Sequence, residues 1–374
     1  MTILYQLAKF VLNYHNNKFV DIIVGARPNF IKIYKLVKIF KKKNKNFRLV
    51  HTGQHYNLNM SDVFFKQLKI KKPDVNLKVK EKTHAHQIGK IMMKYESLIN
   101  INKPNLVIVV GDVNSTLACS LVASRNNIKI AHIEAGLRSN DKSMPEEINR
   151  ILTDQMSDFL FVTSKKARQN LLEEGIQSKK IFLVGNTMID TLFEFKSLIT
   201  KNKKNKKLNF INKDEKFIVV TIHRPENTDN QKNLKNILNI LLDLSKKYTV
   251  IFPTHPRIRK KLDKNKFKNI KFIDPMGYLN FLNLVQKSKL VLTDSGGITE
   301  EASVMNIPCI TIRKNTERPE TLKVKSNILS GYALNKIKQA IKKSNTKKVN
   351  WRNPYGFNVS NKILKILKRD FHRK

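Results

Sequence analysis

The chain is poor in acid. Its 29 Asp and Glu stand against 72 Lys and Arg, a formal charge of +43 over 374 residues. It is poor in arginine too, with 14 Arg against 58 Lys. Specific readout of phosphates and bases favours the Arg fork. Lys travels with Asn and Ile along the whole length, as in 41–47 (KKKNKNF) and 201–207 (KNKKNKK). No aromatic platforms interleave these runs, so the charge reads as compositional drift rather than a nucleic-acid stripe. No apolar run reaches the ~18 residues of a membrane helix. Residues 3–12 are apolar but lack a basic flank and a small-residue cleavage site, so a signal peptide is not expected. The two cysteines, Cys119 and Cys309, lie far apart in apolar contexts, as buried small side chains of a reducing cytosol do. Cys-x-x-Cys and His-Glu-x-x-His are missing, so no metal site is expected. Without Gly-x-Ser-x-Gly, acyl transfer has no support.

What is present is a recurring alternation. A 41% hydrophobic content suffices for ordinary cores, and the length calls for two domains. Strands are expected at 19–24, 47–51, 106–110, 128–133 and 159–163, and helices at 31–40, 60–68, 86–98, 116–123 and 144–156. After a charged stretch at 196–215 the pattern restarts. Strands are then expected at 217–221, 249–252, 270–273, 290–293 and 307–312, and helices at 234–244, 278–286 and 361–371. This βαβ spacing predicts an α/β protein of two doubly wound, Rossmann-like parallel sheets. Two such domains imply an interdomain active-site cleft at the carboxyl ends of the strands.

The chemistry-bearing residues follow the expected strands. Gly25-Ala26-Arg27-Pro28-Asn29 is a βα loop able to present N–H groups and a guanidinium to an anion; an ordinary tight turn reads the same way. It lacks the Gly-x-Gly-x-x-Gly spacing of a dinucleotide site. Asp112 ends the third strand, Glu134 the fourth, and Glu146 opens a helix. Singly, Asp112 reads as a helix cap and Glu146 as a first-turn residue. Three acids at one sheet edge suit proton transfer. In the second half, His223 and His255 leave successive strands. Asp294-Ser295-Gly296-Gly297 joins a strand end to a Gly pair and a helix start, a diphosphate cradle. Glu301 lies one turn further on.

GARPNFIK, HTGQHY, GDVNSTLA, AHIEAGLRS, MPEEINRILTD, VGNTMIDTL, IHRPEN, THPR, LTDSGGITEEA and TERPE occur in this order. Together they resemble the non-hydrolysing UDP-N-acetylglucosamine 2-epimerase family, over about 19–356. The resemblance implies B-type glycosyltransferase architecture: 1–18 without a counterpart, an N-terminal Rossmann-like domain at 19–190, a UDP-binding one at 191–356, and a C-terminal helix at 357–374 crossing back to the first. It implies a cytoplasmic homodimeric isomerase of cell-surface polysaccharide biosynthesis, with no cofactor, metal, nucleic-acid or membrane partner. Such an enzyme interconverts UDP-GlcNAc and UDP-ManNAc by eliminating UDP to a 2-acetamidoglucal and adding it back.

Residue by residue, the resemblance makes Asp112, Glu134 and Glu146 the proton-transfer group and His223 the donor to departing UDP. Arg27 and Lys32 lie near the phosphates; Arg150 and His255 also contact substrate. Ser295, Gly296 and Gly297 hold the diphosphate, Glu301 the ribose, Phe281 lies beside uracil and Arg318 faces the sugar. Gln54 and His55 match positions near a second, activating UDP-GlcNAc. Asn29 stands where many members have Glu, and Pro225 where others have Arg. The wording of HTGQHY, MPEEINR and HRPEN is similar to that of members acting on modified sugars, diacetamido-glucuronate or 6-deoxy derivatives. A UDP-sugar glycosyltransferase and a nucleic-acid binder are the competing readings.

Overall fold

The computed structural model describes residues 18–53, 71–201, 216–254, 267, 269–345 and 351–371. The expected helix at 60–68, residues 1–17 of the expected extension, Gln54, His55 and His255 lie outside the described residues. In chain order the elements begin with β1 (Val20–Val24), α1 (Arg27–Lys42), β2 (Phe47–His51), β3 (Val75–Asn76), α2 (His84–Ile101), β4 (Leu106–Val110) and α3 (Asn114–Arg125). There follow β5 (Lys129–Ala135), α4 (Pro145–Met156), β6 (Phe159–Val162), α5 (Lys165–Glu173), β7 (Ile181–Leu183) and α6 (Thr187–Lys201). The pattern resumes with β8 (Phe217–Thr221), α7 (Pro225–Thr228), α8 (Gln231–Ser245), β9 (Thr249–Pro253), β10 (Ile270–Ile273), α9 (Tyr278–Lys287) and β11 (Leu290–Thr293). It closes with α10 (Gly296–Val304), β12 (Cys309–Thr311), α11 (Pro319–Lys323), β13 (Asn327–Leu329), α12 (Leu334–Asn345) and α13 (Val359–Phe371).

These form two compact units. One runs to Glu194 and takes in the chain from Tyr355 onward; the other is Phe195–Pro354. The first holds a seven-stranded sheet of order β3-β2-β1-β4-β5-β6-β7, the second a six-stranded sheet of order β10-β9-β8-β11-β12-β13. Every pairing is parallel. Strand order reverses between β1 and β4 in one sheet and between β8 and β11 in the other. Loops part at these points, and the gap beyond the strand ends is where doubly wound sheets bind ligands.

The apolar strands explain why both faces are covered. Alternate residues of a strand face opposite sides. Phe217 and Val219 of β8 pack with Leu284 and Val285 of α9 and Ala302 of α10. Ile218 and Val220 pack instead with Leu234, Ile237 and Leu241 of α8 and with Ile337 and Ile341 of α12. In the first unit Val107 and Val109 of β4 meet Ile91, Tyr95 and Leu98 of α2 and Cys119 and Val122 of α3. Burying one such side chain contributes about 1.5–3 kcal/mol.

The helix expected at 31–40 begins at Arg27 instead, because Pro28 suits the first turn. The expected strand at 307–312 shrinks to Cys309–Thr311. Elements with no counterpart in the sequence reading, such as α5, β13 and α12, are short or Lys-rich. In α12 the buried Ile337, Ala340 and Ile341 are diluted by lysines. α13 packs on α1, and Asp190 accepts from the Val359 and Ser360 amides at 3.1 and 2.7 Å, capping that helix.

Candidate active site

In the first unit the polar residues gather around the end of β4. Gly111 takes φ +71°, and a Cβ there would stand 3.2 Å from Lys32 Nζ and 3.7 Å from Glu134 Oε2. Glycine is needed for both conformation and space. Lys32 Nζ donates to Glu134 Oε2 at 2.6 Å. Glu134 is itself unusual: it adopts φ +71° where the β5–β6 register shifts between Ile133 and Ala135. A bulge at that point turns its carboxyl out of the strand's alternation, and the left-handed backbone stores of order 1–3 kcal/mol. The side chain is nearly buried.

The Asp112 carboxylate accepts from Arg150 Nη2. The other arm of Arg150 holds Glu147 at 2.6 Å. Glu147 accepts the Ser139 and Asn140 amides, and Asn149 Nδ2 donates to the Asp112 carbonyl at 2.8 Å. Asp112 is thus held at backbone and side chain by one turn of α4. Asn29 adds a tie, accepting from the Gly25 and Ala26 amides and donating to the Val110 carbonyl at 3.1 Å. Arg27 is half-buried, and burial lowers its pKa from the ordinary value.

The second unit is built around Asp294. This buried carboxylate accepts the His223 and Arg224 amides, the latter at 2.9 Å, and Asn227 Nδ2 at 3.0 Å. The His223 ring meets it through Nδ1 at 2.8 Å, with its side chain 53% exposed. Burial works against the Asp294 charge, but the His223 ring and these N–H donors outweigh it and hold the group below the ordinary carboxylate range. A carboxylate on one ring nitrogen fixes tautomer and orientation, so the other nitrogen is the one available for chemistry.

Ser295 stands at the N-cap position of α10, whose first residue is Gly296, and its side chain makes no capping hydrogen bond. A Cβ on Gly296 would lie 2.7 Å from Glu317 Oε1. The same carboxylate holds Arg313 at 2.8 Å and has Arg224 at 4.0 Å. Amide donors of a helix start and two guanidinium groups therefore lie near one carboxylate, an arrangement suited to a diphosphate. Glu301, one turn along α10, accepts from Tyr278 Oη at 2.6 Å. Burial raises its pKa to about 7 despite that bond.

Of the expected residues, the first unit brings together Asp112, Glu134, Lys32 and Arg150, and the second brings His223 close to Ser295 and the glycines through Asp294. Glu146 is exposed in the first turn of α4 while its neighbour Glu147 is buried. Arg150, expected on substrate, is engaged by Asp112 and Glu147. Arg318, expected to face a sugar, is buried and paired with Glu300 at 2.8 Å, because a buried guanidinium requires a carboxylate partner. Phe281 is half-buried against the α9–α10 apolar cluster. Glu147, Asn149 and Glu317 join the site beyond the expected residues, and Asp294, expected only as part of the cradle, is the carboxylate that holds His223; a carboxylate three residues before Arg150 is the sequence signal for Glu147. Among the described residues no group of three or more His, Cys, Asp or Glu is placed to hold a metal ion.

Two doubly wound parallel sheets of this order, each with its polar cluster beyond the strand ends, define a protein of two-Rossmann, B-type glycosyltransferase architecture. The family model described as UDP-N-acetylglucosamine 2-epimerase matches residues 38–368. A Methanococcus maripaludis protein named UDP-N-acetylglucosamine 2-epimerase is 46% identical over 355 residues, covering 92% of this chain and 96% of its own. The Pseudomonas aeruginosa UDP-2,3-diacetamido-2,3-dideoxy-D-glucuronate 2-epimerase is 42% identical over 327 residues, covering 86% and 91%. The crystal structure of Methanocaldococcus jannaschii UDP-GlcNAc 2-epimerase in complex with UDP-GlcNAc and UDP is similar with TM-score 0.87 and 42% identity, covering 94% of this chain and 99% of that one. The chain belongs to the UDP-N-acetylglucosamine 2-epimerase family.

Proposed function

We propose that the protein interconverts UDP-GlcNAc and UDP-ManNAc without net hydrolysis. The observation that carries this reading is the pair of carboxylates, Asp112 and Glu134, held beside cations at the switch point of the first sheet. Inverting C2 requires taking a proton from one face and returning one to the other. As the C2–H bond is lost, the C1–O bond to UDP breaks and a C1–C2 double bond forms, giving a 2-acetamidoglucal. UDP then adds back to C1 while a proton is delivered to the opposite face of C2. Asp112, Glu134 and Glu146 form the proton-transfer group. His223, oriented by Asp294, donates to the departing UDP, whose charge grows as it leaves. Arg27 and Lys32 act on the phosphates. The start of α10 at Ser295, Gly296 and Gly297 takes the diphosphate, Glu301 the ribose, and Phe281 lies beside the uracil. The enzyme works as a cytoplasmic homodimer; sedimentation at micromolar concentration should give twice the chain mass. Among the described residues no helix is long and apolar enough to cross a membrane.

A second reading, 2-epimerisation of a modified UDP-HexNAc, is favoured by the 42% identity to the diacetamido-glucuronate enzyme. One experiment tests both. Incubation in deuterated water with UDP-GlcNAc and a panel of modified UDP-HexNAcs should yield an epimer carrying deuterium at C2. Exchange only with a modified sugar selects the second reading, and no exchange with any of them rejects both.

A further inference from the structure

His132 lies on β5, two residues before Glu134, and is fully buried. Its Nε2 stands 2.8 Å from the carbonyl oxygen of Gly111, and its Nδ1 stands 2.6 Å from Asp154 Oδ1. A carbonyl only accepts, so Nε2 carries a proton. Asp154 is also paired with Arg138 at 2.8 Å and accepts the Gly136 amide at 3.0 Å. Burial opposes the Asp154 charge, yet His132 and Arg138 outweigh it and keep the group below the ordinary carboxylate range. The ring is thus held from both sides, by the Gly111 carbonyl at Nε2 and the Asp154 carboxylate at Nδ1.

The placement matters because of what Gly111 precedes. Its amide donates to the Ile133 carbonyl at 3.0 Å, so with the His132 contact both polar groups of Gly111 are fastened to β5. The next residue is Asp112. The same Asp154 fastens Gly136, two residues beyond Glu134. A single buried pair therefore braces the backbone on which both carboxylates stand.

We infer that His132 is a positioning residue for the epimerisation proposed above: by donating to the Gly111 carbonyl it sets the direction of the Asp112 carboxyl. This role rests on that reading of the reaction. A small misplacement of a reacting group costs about 100-fold in rate, so the loss belongs in kcat rather than in binding.

Two variants separate the two ring contacts. In His132→Gln the amide reaches where Nε2 stands and still donates to Gly111. In His132→Asn it stops where Nδ1 stands and serves Asp154 alone. His132→Asn should lower kcat for C2 deuterium exchange about 100-fold with KM and UDP affinity within about threefold, and His132→Gln should recover to within about tenfold of the parent. An Asn variant with parental kcat overturns the role. So does loss of kcat, UDP affinity and thermal stability together in both variants. Should neither variant fold, ring-¹⁵N-histidine spectra of the unaltered protein decide: a proton on Nε2 of the buried ring supports the role, and a bare Nε2 overturns it. If the unaltered protein exchanges no C2 proton, the proposed reaction fails and this role with it. If it exchanges normally while the Asn variant is unimpaired, only the role fails.

Discussion

Asp294 holds the ring of His223 through Nδ1 at 2.8 Å, and the same carboxylate collects the amides of His223 and Arg224. Asp294→Asn keeps the size of the group but presents an amide N–H to one of these donors. Turnover should fall about 100-fold by misorienting His223, with UDP affinity changing far less in calorimetry. A titration of stability should also change. Asp294 sits below its ordinary value of 3.8, so its contribution is full above that pH and is lost as pH falls through the lowered folded value. The Asn variant should lack this loss in thermal melts run across acidic pH.

Asp112→Asn should abolish deuterium incorporation at C2, by at least about 1,000-fold, because an amide neither takes nor gives the proton. Asn149 still holds the backbone carbonyl of residue 112 and Arg150 keeps Glu147 as its partner, so UDP binding should persist. Measurable exchange at the parental rate would remove Asp112 from the proton-transfer group.

Glu301 offers the opposite sign from Asp294. Its folded pKa is raised from 4.5 to about 7 by burial, so the folded protein holds a proton that the unfolded chain has released. Stability from this group is full below about pH 4.5, falls as pH rises to about 7, and is flat above. Glu301→Gln carries no such charge. The melting temperature of the variant minus that of the parent should rise between those two pH values and then level off.

Gly296→Ala should weaken UDP binding. The new Cβ would stand 2.7 Å from the Glu317 carboxylate, and moving Glu317 disturbs Arg313, its partner at 2.8 Å. A loss of about tenfold in UDP affinity, or about 1.4 kcal/mol, is the expected calorimetric result.

The net charge of +43 should act at a distance. The rate kcat/KM for an anionic sugar nucleotide should fall as salt rises, since steering is screened beyond a Debye length. Duplex binding should vanish at physiological salt; sub-micromolar binding with a steep salt slope would instead favour a nucleic-acid role.

The central strands β4, β8 and β11 were legible because they are nearly continuous apolar runs that lead into Gly111, His223 and Asp294; β1 and β2 are apolar but for Asp21 and Arg48, which neutralise each other across the two strands at 2.7 Å. Short strands such as β3 and β13 carry two or three residues and no usable period. The acids at strand ends were legible by place. Their bracing was not, because Arg150 reaches Asp112 and His132 reaches Gly111 across separations that only the folded sheet closes. Arg318 shows the complementary limit. The motif TERPE marks Arg318, but its pairing with Glu300 at 2.8 Å joins residues whose meeting only the fold reveals.

The first unit is completed by chain that comes after the whole of the second: Tyr355 onward rejoins it, with α13 capped by Asp190 and laid on α1. A polypeptide leaves the ribosome in order. Residues 195–354 are therefore made while α1 still lacks its covering helix, and the unit that starts first reaches its final form last. Until residue 355 and the helix after it have been made, the face of α1 that α13 covers has no such cover, so a chain cut short before residue 355 lacks part of its first unit.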